Sequence, residues 1–241
     1  MPVADDSRFV RLEIRGRVAE IRLDRPEARN AIDLAFAREL DRALTLAEQD
    51  DDVAILLLSA SGSAFCAGQD LKALAAGEGE AFIDGSGWAG VTHRERIKPL
   101  IAVVQGPALG GGFELVLAAD LAIASRQAVF GLPEIHHGLL AAAGGASRLA
   151  LRIPPVIATE LLLTGDPIDA ERAAALGLIN AVVEPSELRD RAEKLAATIA
   201  AQPTAASAAA LRVARHARTA GEISADALAA KLLGQLRDSR G

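Results

Sequence analysis

Three apolar runs that never alternate with polar residues constrain this chain most. They lie at residues 53–58, 101–104 and 121–124. A strand with one wet face alternates; an unbroken apolar run suits a strand covered on both faces. Covering both faces takes helices, and parallel neighbours take crossover connections. Residues 34–48 supply such a helix. Leu34, Ala37, Leu40, Ala43, Leu44 and Ala47 recur at helical spacing, and Asp33 stands at the N-cap position. Residues 10–14 and 18–23 alternate about Gly16 and read as a hairpin, ended by Asp24-Arg-Pro-Glu. The pattern predicts an α/β core.

Beyond about Pro154 the strand signals nearly vanish. Residues 155–163, 170–176, 186–201, 204–217 and 223–237 read as helices rich in alanine, the best helix former. The chain divides into a core over residues 1–190 and a helical region over 191–241. Residues 77–90 are glycine-rich with mixed charge and read as a mobile loop. Several function classes are excluded. The 26 Lys and Arg face 32 Asp and Glu, a net charge of −6, which argues against a nucleic-acid partner. One tryptophan, six phenylalanines and no tyrosine leave no stacking platform for single strands. The one cysteine, Cys66, excludes an internal disulfide and fits a reducing, cytoplasmic setting. No run of 18 apolar residues suggests a membrane span, and the start carries no basic segment before an apolar one, so the chain reads as untargeted.

Three segments could carry chemistry. Ala64-Phe-Cys-Ala-Gly-Gln-Asp-Leu-Lys72 follows the run at 53–58, at the carboxyl end of a buried strand. Ligands of open α/β sheets bind at such ends. Gly106-Pro-Ala-Leu-Gly-Gly-Gly-Phe-Glu114 predicts a turn and then a helix from about Gly111 or Gly112. The first N–H groups of a helix lack partners inside it, and glycines admit a ligand to the backbone, so the segment suits a developing oxyanion. It matches neither a Walker loop nor a dinucleotide fingerprint. Glu114 lies one turn in, where it either complements the helix dipole or does chemistry. Phe130-Gly-Leu-Pro-Glu134 sets a second carboxylate between Leu132 and Ile135, where desolvation raises a pKa. Glu114 and Glu134 form a candidate acid/base pair.

Other constellations are weaker. His93, His136, His137 and His216 lack zinc-helix spacing, and no metal is expected. No Gly-x-Ser-x-Gly elbow offers a serine nucleophile. Cys66 reads as a small buried residue. Arg212, Arg215, His216 and Arg218 read as a solvated helix face, with phosphate contact as the alternative.

Together these stretches resemble the enoyl-CoA hydratase/isomerase, or crotonase, superfamily. The matching pieces also include Leu23-Asp-Arg-Pro-Glu-Ala-Arg-Asn-Ala31, Ala143-Gly-Gly-Ala-Ser-Arg-Leu149, Leu163-Thr-Gly-Asp166 and Ala173-Ala-Ala-Leu-Gly-Leu-Ile-Asn180, in order from about residue 10 to about residue 220. The resemblance implies a spiral of ββα turns with a C-terminal helical region that builds homotrimers, commonly paired into homohexamers. It implies a lyase that hydrates trans-2-enoyl-CoA to 3-hydroxyacyl-CoA, with no cofactor beyond the coenzyme A of its substrate. It implies an oxyanion hole from the N–H groups of Gln69 and Gly111, coenzyme A contacts at Ala67 and Lys72, and Glu114 and Glu134 as catalytic residues. Glu114 is then the general base and Glu134 the proton donor at C2. An isomerase using Glu134 alone, a crotonobetainyl- or carnitinyl-CoA hydratase and a non-catalytic acyl-CoA binder remain alternatives.

The chain departs from the family at several places. Gln69 replaces a small residue. Gly138-Leu-Leu-Ala-Ala-Ala-Gly-Gly145 stands where many hydratases have Gly-x-Ile-Pro-Gly-Ala-Gly-Gly. His136-His137 replaces an apolar pair, and the sequence stops at Gly241 without the charged, aromatic-containing segment usual there.

Overall fold

The structure is a computed structural model that describes residues 7–220 and Gln235. The helix expected over residues 223–237 lies, apart from Gln235, outside the described residues. In chain order the elements are β1 (Val10–Arg15), β2 (Val18–Leu23), α1 (Leu34–Gln49), β3 (Ile55–Ala60), α2 (Leu71–Ala75), β4 (Phe82–Ile83), β5 (Gly87–Trp88), β6 (Leu100–Val104) and β7 (Ala108–Leu109). There follow α3 (Gly111–Ala118), β8 (Leu121–Ser125), β9 (Val129–Gly131), α4 (Gly145–Arg152), α5 (Pro155–Thr164), β10 (Ile168–Asp169), α6 (Ala170–Ala175), β11 (Ala181–Val183), α7 (Leu188–Ala200) and α8 (Thr204–Ala220).

The main sheet has the order β1-β2-β3-β6-β8-β11. Its β1–β2 hairpin is antiparallel and the other pairs are parallel. Both faces are covered, as the apolar runs require. Leu56, Leu58, Leu100, Ala102 and Val104 join the core that holds Phe36, Leu40 and Leu44 of α1. Ile55, Leu57, Ile101, Val103 and Ile123 point the other way, onto Leu188, Ala192, Ala196 and Ala200 of α7. Those four recur every four residues, and their small side chains let α7 lie close on the sheet. Residue 190 falls inside this helix. The side chain of Asp33 accepts the Phe36 N–H (2.8 Å) and caps α1.

Three sequence expectations are corrected. Two short strands, β10 and β11, persist where strand signals nearly vanish beyond Pro154: β11 pairs parallel with β8, and Asn180 Oδ1 accepts the Ala122 N–H at 2.9 Å to start the register. A three-residue run has no readable period, so only its neighbour identifies it as a strand. Residues 77–90 are not merely a loop. They contain the β4–β5 hairpin, which buries Trp88 and is flanked by buried Ala81 and Ala89. The basic run of α8 is not wholly solvated. Arg215 grips Asp120 through two bonds of 2.7 and 2.8 Å. Asp120 Oδ2 also takes the Leu100 N–H (2.9 Å) and lies 3.4 Å from buried Arg96. This cluster ties α8 to the end of α3 and the start of β6. Among the described residues no helix is long and apolar enough to cross a membrane.

Removing one member of a buried charge cluster strands the others. Asp120→Ala is expected to cost roughly 3–5 kcal/mol in denaturant unfolding at fixed protein concentration. Its two arginines hold the Asp120 carboxyl below its ordinary 3.8 despite burial. Its contribution is therefore full above that value and is lost as pH falls through the lowered one.

Candidate active site

A second, smaller sheet brings the three candidate segments together. Its order is β10-β9-β7, with Ala108 opposite Phe130 and Leu109 opposite Gly131 in parallel register. On its other side β7 meets the segment after β3. The Phe65 N–H donates to Pro107 O (3.0 Å) and the Leu109 N–H to Cys66 O (3.0 Å). The Gly110 N–H then donates to Gly131 O (2.9 Å). Residues 65–69, 108–112 and 130–134 therefore end side by side.

Glycine is obligatory at this junction. A Cβ on Gly112 would lie 2.1 Å from Cys66 O, and one on Gly68 would lie 3.1 Å from Gly111 N. Gly110 caps α3 at φ 55, ψ −127, a conformation that L side chains rarely adopt. The sequence continues directly into α3, whose opening N–H groups have no intrahelical acceptor. Among the described residues no acceptor takes the N–H of Gln69 or of Gly111. Gly111 N abuts Gly68, so the two free donors border one place.

The loop carrying Gln69 is held from behind by residues whose roles the sequence did not disclose. Asn30 Nδ2 donates to Ser61 O and Ala64 O, both at 2.9 Å, and its Oδ1 takes the Arg25 N–H (2.8 Å). Arg25 Nη1 joins Asp70 (2.8 Å) and Asp33 (3.2 Å), the N-caps of α2 and α1. The Ile32 N–H donates to Gly68 O and the Asp70 N–H to Ile32 O. Cys66 is fully buried, its Sγ 3.1 Å from Asn30 O, and burial pushes the thiol up to about 12. It is an inert packing group.

Glu114 lies in the first turn of α3 and is 4 % exposed. Its Oε1 accepts the Gly145 N–H at 2.8 Å. A Cβ on Gly145 would sit 2.8 Å from that oxygen, so the contact requires glycine. Burial pushes the Glu114 carboxyl from 4.5 to about 7, the Gly145 N–H opposes this, and the charge of Glu134 adds to it. Glu134 stands in a short 3-10 turn over Pro133–His137. Its Oε1 lies 3.2 Å from where a Gly110 Cβ would be, and its buried Oε2 has no hydrogen-bond partner among the described residues. Burial raises its pKa as well, partly offset by His137. Arg148 of α4 faces Glu114 electrostatically and donates to Ala143 O (3.0 Å) and Thr92 O.

All four residues expected to do chemistry, Gln69, Gly111, Glu114 and Glu134, converge. Ala67 and Lys72 are exposed nearby. His136 turns away and bonds Thr164 O (2.6 Å). Ala141 and Ala143, in the departing stretch, are buried. The Gln69 side chain bonds the hairpin: its Oε1 accepts the Ala81 N–H (3.0 Å) and the Trp88 Nε1–H (3.1 Å). A cavity of about 1100 Å³ lies beyond Arg148, lined also by Arg152, Arg212 and Arg215. Neither Glu114 nor Glu134 lines it. No group of three or more His, Cys, Asp or Glu among the described residues is placed to hold a metal ion.

Removing the Glu134 charge withdraws one cause of the raised Glu114 pKa. Glu134→Gln is expected to move the Glu114 titration downward from about 7, read by carboxyl-carbon NMR. Gly112→Ala forces Cβ into a backbone carbonyl and is expected to cost about 3 kcal/mol in chemical unfolding.

Comparison with known proteins agrees with this architecture. The family model for enoyl-CoA hydratase/isomerase matches residues 13–240. Carnitinyl-CoA dehydratase of Proteus mirabilis is 43 % identical over 197 residues, covering 80 % of this chain and 75 % of that protein. A probable enoyl-CoA hydratase of Rhizobium meliloti is 41 % identical over 195 residues, 78 % of this chain and 74 % of its own. The crystal structure of an enoyl-CoA hydratase from Mycobacterium tuberculosis superposes with a TM-score of 0.88 at 44 % identity, covering 93 % of this chain and 88 % of that one.

Proposed function

The chain belongs to the enoyl-CoA hydratase/isomerase family, and from that membership we propose that it adds water to trans-2-enoyl-CoA thioesters to give 3-hydroxyacyl-CoA. One observation carries the reading: a buried and a half-buried carboxyl, both with raised pKa values, stand beside two backbone N–H donors that lack an acceptor among the described residues.

The thioester carbonyl accepts the N–H groups of Gln69 and Gly111. The two carboxyls hold one proton between them, and in the form that has it on Glu134 the ionised Glu114, poised near neutrality, takes a proton from water as the oxygen bonds C3. The C2–C3 π electrons move toward the carbonyl, and the developing oxyanion strengthens both amide bonds. Protonated Glu134 delivers its proton to C2 as the carbonyl re-forms. Transfer of a proton from Glu114 to Glu134 resets the pair. The thioester is the electron sink, so the reaction calls for no metal or redox cofactor. Exposed Ala67 and Lys72 border the path of the coenzyme A chain. The α/β core holds this site, and the C-terminal helices, from α7 onward among the described residues, build a homotrimer or homohexamer in a cytoplasmic setting. A second reading runs the same chemistry in reverse on carnitinyl-CoA, the compound named for the dehydratase relatives, with water leaving C3 and a proton leaving C2.

Loss of the conjugated thioester absorbance measures the reaction on crotonyl-CoA, crotonobetainyl-CoA and 2-hexenoyl-CoA. Glu114→Gln and Glu134→Gln are each expected to lower turnover roughly 10²–10⁴-fold with an unchanged circular dichroism spectrum. Near-wild-type turnover in both would falsify the assignment. Conversion of 3-hexenoyl-CoA in preference to 2-hexenoyl-CoA would point instead to an isomerase.

A further inference from the structure

Trp88 occupies a place that the acid/base chemistry does not explain. It is the chain's only tryptophan and is 4 % exposed. Its five-membered ring donates Nε1–H to Gln69 Oε1 at 3.1 Å. The outer edge of its six-membered ring lies against Gly111, with Cη2, Cζ2 and Cζ3 at 2.4–2.7 Å from where a Cβ would be. One rigid indole thus touches both residues whose N–H groups are free.

The hairpin that carries the indole is anchored on several sides. The Ala81 N–H shares Gln69 Oε1 (3.0 Å), and the Ala89 N–H donates to Ala81 O (2.7 Å). The Trp88 N–H donates to Thr92 Oγ1 (2.9 Å), and Arg148 binds Thr92 O. Two donors on Gln69 Oε1 also fix which end of that amide is oxygen, leaving Nε2 buried and without a partner among the described residues. A solvated surface glutamine would not accept that burden. The arrangement spends a buried donor to keep the oxygen on the indole.

We propose that Trp88 is a positioning residue that sets the separation and aim of the Gln69 and Gly111 N–H groups, with the Gln69 side chain as its anchor. The proposal rests on the hydratase reading of the site. An amide donor acts on the transition state only when aimed at the developing oxyanion. A rigid ring in contact with both residues resists their relative movement as charge develops. Substituting it moves the donors without touching either carboxylate, so the loss falls on kcat more than on KM.

The test uses full-length Trp88→Phe, Trp88→Ala and Gln69→Ala. Steady-state kinetics on crotonyl-CoA give kcat and KM. The absorption of enzyme-saturated cinnamoyl-CoA, which moves to longer wavelength as its carbonyl is polarised, reports the amide donors directly. We expect kcat to fall about 10²-fold in Trp88→Ala, the order of a ~1 Å misplacement. We expect about 10-fold in Trp88→Phe, the order of one neutral hydrogen bond. KM should stay within about threefold, and the red shift of cinnamoyl-CoA should shrink in the same order. If Trp88→Ala does not fold, Trp88→Phe and Gln69→Ala decide. Folded variants that keep both kcat and the red shift, or that change KM alone, overturn the proposal. A wild-type protein that turns over no enoyl-CoA overturns the hydratase reading, and this proposal with it. Normal wild-type turnover with silent variants overturns only the role of Trp88.

Discussion

The site depends on one close approach of backbone to backbone. Cys66 and Gly68 lie against Gly110, Gly111 and Gly112 at separations where a Cβ would meet a carbonyl oxygen or an amide nitrogen. That contact aligns β7 with the segment after β3 and starts α3 beside Gln69. Helix α3 then sets Glu114 in its first turn, and β9 beside β7 delivers Glu134. A side chain at Gly112 would push these layers apart and disturb every later placement.

The two carboxyls owe their chemistry to different surroundings. Glu114 is held by a backbone N–H from the start of α4 in an apolar enclosure, which raises its pKa while fixing its direction. Glu134 is half-buried, feels the charge of His137 and keeps one oxygen without a hydrogen-bond partner among the described residues. Each also feels the charged groups nearby, and the two carboxyls share the pressure against holding two negative charges together. Arg148 lies behind Glu114 and, through Thr92, reaches the hairpin that bears Trp88. The acid/base pair and the amide donors are thereby parts of one packed unit.

Much of this was legible because local physics suffices to write it. The unbroken apolar runs required cover on both faces, and α1, α3 and α7 provide it. Asp33 announced a cap, and the glycines before Phe113 announced a helix start. What escaped reading depends on distant partners. Arg25 bonds two aspartates that are 8 and 45 residues away, and Arg215 reaches Asp120 across 95. Nothing in a basic helix face distinguishes such an arginine from its solvated neighbours. The strand β11 and the hairpin around Trp88 were missed for a different reason: each is too short to show a period.

The amino-acid sequence by itself determined the α/β layering, the helix start at the glycines before Phe113 and the presence of two glutamates beside apolar residues, because these follow from side-chain periodicity and backbone preference within a few residues. Only the tertiary structure decided which N–H groups stay free, how far each carboxyl is buried, that glycine is required at the junction, and that an indole from the hairpin touches both Gln69 and Gly111. Those depend on segments that the chain brings together from dozens of residues apart, and desolvation and hydrogen-bond partnership exist only once they have met.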